Sequence, residues 1–359
     1  MLVRSIPIKL KVNDLIIQTI ELYKQGLQLC VDRAWEMRIR NNIKLHPFVY
    51  YDLRTLGLPA QLSVSCIKQA CGMVKKAKNK PFINRTSIRY NTPRSFSFKN
   101  NVLSISTIQG RVKIPIKIPD YTLKYFDDWK IVESLLTQSK DKHYFTFTFS
   151  RENPIGTSDQ HFEVLGVDLG VNKLAVTSDK KFYGQNTKSL RIKQDRLISK
   201  LQSKCTKSAK RKLKKISGRW RRFMRFENHN ISKRIVERLN NGDVIVMEDL
   251  SGIRRTAKYN KWVHKWAFYQ LQSFIEYKAL EKGIRIVYVN PAYTSKSCSV
   301  CHNTETVRHR GFVECKTCGL RSDSDFGASK NIAQLYIRNM CRATVNTPIF
   351  SCDDTILCG

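Results

Sequence analysis

The sequence predicts a multidomain α/β protein, and three observations carry that prediction. The hydrophobic period is two over residues 1–12 and about 85–150, but helical over most of 13–80. Two buried-type apolar runs in the second half, 163–170 and 244–250, each end in acids and read as strands among helices. Two Cys-x-x-Cys pairs, 298/301 and 315/318, mark a small metal module between them and the last helix. A chain of 359 residues has room for two or three packed domains, and 42% apolar composition excludes an intrinsically disordered one.

Residues 1–12 alternate through Ile6, Ile8, Leu10 and Val12, as a strand does. Asn13 is a candidate N-cap, and behind it a helical stripe runs through Ile16, Ile20, Tyr23, Leu27, Cys30 and Ala34. Leu58 and Pro59 punctuate. A second helix follows through Val64, Ile67, Cys71 and Val74 and ends in Lys75, Lys76, Lys78 and Lys80. Residues 13–84 therefore read as a helical insert in a β domain made of 1–12 and 85–150. In that domain Phe96 and Phe98, Val102, Val112 and Ile114, and Phe145, Phe147 and Phe149 alternate, with Asn100-Asn101 and Gln109-Gly110 as hairpin turns. Short antiparallel strands at this spacing suggest a small barrel.

Sixty-four Lys and Arg against 29 acids give a net charge of +35, which attracts polyanions. Nucleic acid is the leading polyanion, because each neutralised phosphate releases condensed counterions. An anionic membrane surface is the rival, but no apolar run of ~18 residues is present to span a bilayer. The N-terminus lacks an apolar core with a small-residue cleavage site, which argues against secretion. Charge concentrates between Lys188 and Arg238: nineteen Lys or Arg against three acids, with leucines spaced as in helices. A solvated face is the bland reading of a charge run. Interleaved Trp220, Phe223 and Phe226 favour nucleic acid, since aromatics and Arg stack bases and hold phosphates. The candidate contacts are Lys210, Arg211, Lys214, Lys215, Arg219, Trp220, Arg221, Arg222 and Arg225, within basic helices at 188–240. Residues 343–359 contain no Lys or Arg and read as a flexible tail.

Three acids end recognisable elements. Asp168 closes an apolar strand between Gly166 and Gly170; Glu248 and Asp249 close another; Asp323 and Asp325 open a helix, where the dipole favours an anion. Mg2+ takes oxygen ligands from few carboxylates plus water and phosphate, and two such ions hydrolyse phosphodiesters. Capping is the ordinary alternative, and Asp249 and Asp323 are the better candidates for it. Cys298, Cys301, Cys315 and Cys318 have the spacing that presents four thiolates to one Zn2+, which leaves no open position for catalysis. The other seven cysteines are scattered, as buried thiols are in a reducing compartment. His302 and His309 read as exposed loop residues.

The order of these motifs resembles the TnpB family. It runs from Gly-Val-Asp168-Leu-Gly-Val-Asn-Lys-Leu-Ala through Met-Glu248-Asp-Leu to Tyr293-Thr294-Ser295-Lys296-Ser297-Cys298-x-x-Cys301. Cys315-x-x-Cys318-Gly and Asp325-x-x-Ala-x-x-Asn331-Ile332 complete it. The family's third acid often lies in Arg-Asp-x-Asn-Ala, where this chain has Ser324-Asp325-Phe326-Gly327-Ala328. TnpB proteins are RNA-guided nucleases of insertion sequences, related to compact type V CRISPR effectors. The resemblance implies an RNase H-like (RuvC) nuclease domain over 160–290 and 321–342, interrupted by a zinc ribbon at 291–320. It implies Asp168, Glu248 and Asp325 as catalytic ligands of two Mg2+, and the four cysteines as ligands of one structural Zn2+. The N-terminal barrel, wedge-like in such proteins, and the helical recognition insert would bind a guide (omega) RNA and a short DNA motif beside the target. The partners implied are that RNA and double-stranded target DNA, with no membrane, in a prokaryotic cytoplasm close to the nucleoid. Monomer and dimer both stay open. Two other readings compete: an RNA-guided DNA binder that does not cut, and a guide-free transposase or resolvase.

Overall fold

A computed structural model of the chain describes residues 1–139, 142–154, 162–250, 268–292, 294–309 and 311–344. Most of the expected tail, 345–359, lies outside the described residues, as does Tyr293. The chain forms two compact units, Met1–Glu152 and Asn153–Gly359.

The first unit runs β1 (Leu2–Leu10), α1 (Asp14–Glu36), α2 (Asn42–Thr55), α3 (Ala60–Lys76), β2 (Ser87–Tyr90), β3 (Phe96–Lys99), β4 (Val102–Thr107) and β5 (Gly110–Pro115). It continues with α4 (Leu123–Asp128), β6 (Lys130–Ile131), β7 (Ser134–Ser139) and β8 (Lys142–Arg151). One sheet has the order β1-β8-β7-β2, with β6 also paired to β8; β3-β4-β5 form a second. All these pairings are antiparallel. Alternation along β8 turns Phe145, Phe147 and Phe149 to one face, where Phe96 of β3 stacks edge-on against Phe145 at 5.3 Å. The two sheets thus share one aromatic core. Asn100 and Asn101 both take positive φ, 51° and 59°, as the expected tight turn requires.

Asn13 caps α1 by accepting the Ile16 N–H at 3.1 Å. The insert holds three helices where the sequence pattern gave two. In α2 the buried residues are Leu45, Val49 and Leu53, a stripe one residue wide, and Pro47 lies inside the helix. So narrow a stripe with a proline within it masks the helical period.

The second unit begins with β9 (Val164–Asp168), β10 (Ala175–Thr177), β11 (Lys181–Tyr183), α5 (Thr187–Gln202), α6 (Lys207–Glu237) and β12 (Val244–Glu248). After them come α7 (Phe268–Lys282), β13 (Arg285–Val289), β14 (Thr306–His309), β15 (Phe312–Cys315), β16 (Arg321–Asp323) and α8 (Ser324–Thr344). The main sheet has the order β11-β10-β9-β12-β13, antiparallel from β11 to β9 and parallel from β9 to β13. Its two faces separate by residue parity. Leu165, Val167, Ile245 and Met247 pack with Ile231 and Ile235 of α6 and Leu271 and Ile275 of α7. Val244 and Val246 pack with Ile332 of α8 on the other face. A strand buried on both faces reads as a continuous apolar run, which is why 244–247 shows no alternation in sequence.

Gly166 fixes how close α8 comes. A Cβ there would lie 2.1 Å from the Ser329 carbonyl oxygen and 2.8 Å from the Ala333 nitrogen, both backbone atoms that cannot swing aside. Gly166→Ala should therefore lower unfolding stability by roughly 3 kcal/mol, the upper range for overpacking. Gly72→Ala in α3, where the added carbon would meet nothing within 4 Å beyond its own helix backbone and chain neighbours, should be neutral or stabilising. Denaturant unfolding of both variants checks this; equal stability of Gly166→Ala and the parent would contradict the close approach.

Candidate active site and metal centre

Parity on the sheet decides where the acids point. Val167 pairs with Met247, so Asp168 and Glu248 follow side by side at the carboxyl edge of the two central strands. Both share the parity of Gly166 and Val246, and so face α8. Asp325 lies in the first turn of α8, one turn before the Ser329 that touches Gly166. The structure thus brings Asp168, Glu248 and Asp325 to one corner, each half-buried.

Their electrostatics follow from that crowding. Burial pushes the Asp168 carboxyl well above its usual range, and repulsion from Glu248 and Asp325 adds to it; Arg308 and Lys173 oppose the shift. Burial also raises Glu248, against a hydrogen bond donated by Thr294 Oγ1 to Oε1 at 2.5 Å. Further bonds hold the frame. Gln272 of α7 donates to the Glu248 carbonyl at 3.0 Å. Asn331 of α8 donates through Nδ2 to the carbonyls of Thr294 and Ser297, both at 2.8 Å. Lys173 Nζ lies 2.5 Å from Asp323 Oδ2 and 3.2 Å from Asp325 Oδ2.

The neighbouring acids separate as capping predicts for one of them. Asp323 Oδ1 accepts the N–H groups of Asp325 and Phe326, both at 3.1 Å, and is the N-cap of α8. Asp249 is exposed just past β12. Thr294, Asn331, Lys173 and Arg308 also act on the site, a part that the sequence does not announce. The first three stand inside the quoted motifs; Arg308, on the β14 hairpin, carries no sequence signal.

The four cysteines converge. Their sulfurs lie within 4.8 Å of one another, with Cys298–Cys318 and Cys301–Cys315 each at 3.5 Å. Four sulfurs around one Zn2+ at ~2.3 Å would stand ~3.8 Å apart, so the quartet fits a closed tetrahedral site. The Cys318 N–H, with that of Thr317, pulls the Cys315 thiol down to about 6 against the opposing effect of burial. Such ligation supplies folding free energy on the order of 10 kcal/mol. This is the one metal-type cluster that closes among the described residues. The carboxylates are a looser set, with Lys173 paired to Asp325, but all-oxygen donors with room for water and phosphate suit Mg2+. His302 departs from expectation: it is half-buried, lining a small cavity of about 90 Å3 with Asn331 and Arg338. His309 is exposed, but in a strand.

All eight cationic candidates on α6 are exposed: Lys210, Arg211, Lys214, Lys215, Arg219, Arg221, Arg222 and Arg225. Trp220 is half-buried and packs against the core of the second unit.

Comparison with known proteins places the chain among similar ones. Residues 151–251 match the family model described as a probable transposase (OrfB_IS605), and 268–332 match the Cas12f1-like TNB domain. "TnpB-like protein MJ0751" of Methanocaldococcus jannaschii is 28% identical over 66% of this chain and 91% of its own length. "CRISPR-associated endodeoxyribonuclease Cas12f2" of a Micrarchaeota archaeon is 30% identical over 56% of this chain and 42% of its own. "Putative RNA-guided DNA endonuclease InsQ" of Escherichia coli is 25% identical over 55% and 54%. The chain therefore spans most of one relative and about half or less of the other two. A cryo-EM structure of a Cas12f1-sgRNA-target DNA complex aligns over 93% of this chain and 99% of that one at 13% identity and a TM-score of 0.37.

A raised carboxyl pKa has a defined sign. The unfolded chain ionises these acids at ordinary pH, so their burial as charges weakens folding above the raised pKa values and is relieved as pH falls through them. In magnesium-free buffer at pH 8, Asp168→Asn should melt about 2–4 °C higher than the parent, the scale of ~1 kcal/mol in a unit of this size. Mg2+ should raise the melting temperature of the parent and leave the variant unmoved. A variant less stable than the parent, or one that responds equally to Mg2+, would contradict the repulsion.

Proposed function

We propose that this TnpB-like chain is an RNA-guided, Mg2+-dependent DNA endonuclease that cuts both strands of a target duplex at one site. The observation that carries the reading is the convergence of Asp168, Glu248 and Asp325 at the carboxyl edge of a sheet that turns from antiparallel to parallel. That frame supports an RNase H-like (RuvC) domain, here with a zinc ribbon entering between β13 and α8. The names of the relatives support the reaction class, and the excess of 35 positive charges supports a polyanionic partner.

Two divalent ions held by the three acids would activate water and stabilise the leaving oxygen of the phosphodiester. The chain's own residues orient that set. Asp168 contributes the most enclosed carboxylate, on the central strand. Thr294 fixes one rotamer of Glu248 by its hydrogen bond, leaving the other oxygen to the site. Asp323 starts α8 and, through Lys173, sets where Asp325 stands. The exposed cations of α6 take phosphates, which positions nucleic acid without reading its sequence. Guide pairing carries target choice in such systems. The barrel-like β unit with its helical insert is the proposed seat for guide RNA and for the short DNA motif beside the target.

Asp168→Ala, Glu248→Ala and Asp325→Ala should each lower cutting of both strands by at least about a thousandfold, the several kcal/mol that bound metal supplies. Thr294→Val should cost roughly 10- to 100-fold and raise the Mg2+ needed for half-maximal rate. That Mg2+ requirement should also rise as pH falls, because protons compete for the acids. The test is a guide-matched duplex labelled on each strand, with binding followed separately. Residual cutting of one strand by Asp168→Ala would reveal a second active site. Uncut but bound target with the unaltered protein would make the chain a guided binder.

A further inference from the structure

α5 and α6 enclose an apolar groove of about 440 Å3, within the ~300–1,000 Å3 range of ligand sites. Its walls are Leu190 and Leu197 of α5 and Ile216 of α6, and both leucines are exposed, at 43% and 41%. Trp220 and Phe223 line it with rings 5.4 Å apart and tilted by 35°. Lys193 and Arg219, both exposed, stand on it as cations. The Gln194 amide also lines it, and its Oε1 has no hydrogen-bond partner among the described residues.

The position of the groove follows from how α6 lies on α7. Asn228 bonds Gln270 in the first turn of α7 at 3.0 Å, and Lys282 at its end bonds the Val236 carbonyl at 3.3 Å, so the two helices run the same way. Gln272, beside Gln270, reaches the Glu248 carbonyl. Asn228 is therefore level with the acidic edge, and the part of α6 before it projects beyond that edge. Phe223 and Trp220 precede Asn228 by five and eight residues, about 8 and 12 Å of helix. A groove with an aromatic floor and cationic sides, on a helix that packs on the sheet face opposite to α8, complements an unpaired polynucleotide in charge and in surface.

We propose that the α5–α6 groove is a base-stacking subsite for an unpaired strand of the target DNA. The inference rests on the nuclease reading for the identity of the strand. Trp220 and Phe223 receive bases, and Lys193 and Arg219 take the flanking phosphates. Trp220 also packs against the core, so it acts as a wall fixed in place and not as a mobile clamp.

The test uses the full-length chain in magnesium-free buffer, so that it does not depend on cutting. A short unpaired DNA strand carrying 2-aminopurine is titrated, beside a strand of equal length with abasic sites and an RNA strand of the same sequence. Stacking should quench 2-aminopurine, and Trp220→Ala should weaken binding about tenfold, within the range for one lost base stack. Trp220→Phe should keep most of the affinity. Leu197→Ser, on the exposed wall, should weaken base-bearing DNA with an unchanged melting temperature, which decides the matter if Trp220→Ala unfolds. The abasic strand should bind all variants alike. Unchanged binding and quenching in Trp220→Ala and Leu197→Ser, or equal losses for the abasic strand, would overturn the proposal. A base-dependent effect larger for RNA than for DNA would assign the groove to RNA and overturn it too.

Discussion

Three carboxylates that repel one another stand in one corner of the second unit, and much of the unit is arranged to keep them there. Asp168 and Glu248 are adjacent because β9 and β12 are parallel and in register. Asp325 joins them because Gly166 has no side chain to hold α8 away. The gathered charges themselves oppose a metal-free fold: burial and mutual repulsion push Asp168 up, and among the described residues Arg308 and Lys173 offset it. A site that is uncomfortable without counter-charge is what a divalent-cation site requires, since the ion then gains what the fold lacks.

The cysteine module contributes by geometry. Thr294, four residues before Cys298, holds the Glu248 carboxylate, and Asn331 of α8 holds the carbonyls of Thr294 and Ser297. On the other side β16 runs directly into Asp323, which caps the helix of Asp325. A zinc ion held by the four thiolates would therefore steady Glu248 and Asp325 through these bonds, although no thiolate touches them. The same module supplies Arg308. Metals bound at the cysteines and at the acids would be linked through these hydrogen bonds, in the manner of outer-shell positioning.

The sequence showed the parts that chemistry marks and missed those set by tertiary approach. Asp168, Glu248 and Asp325 were legible because each ends a strongly patterned element, and the cysteines because their spacing has one common use. Asp323 was legible as a cap for the same reason that Asp is favoured before a helix. α2 was hidden by its narrow stripe and Pro47. The ion pair of Lys173 and the reach of Arg308 join residues 150 and 140 positions from their partners, and no local pattern encodes such contacts. His302 is a loop residue, but its sequence position does not show its partial burial, which comes from α8 beyond the ribbon in the chain. The charge around Trp220 points to nucleic acid, and its packing on the core shows that one residue can serve the fold with one face and leave the other to a groove.

The central claim is that the three acids gather divalent ions for phosphodiester hydrolysis while the cysteines hold zinc. Anomalous diffraction from crystals soaked in Mn2+ tests it most directly, because manganese and zinc are told apart by their absorption edges. The account predicts manganese bound among Asp168, Glu248 and Asp325, zinc among Cys298, Cys301, Cys315 and Cys318, and no manganese at the acids in Asp168→Asn. Protein that cuts DNA with Mn2+ yet shows no manganese at the acids, or shows it bound elsewhere, would contradict the account.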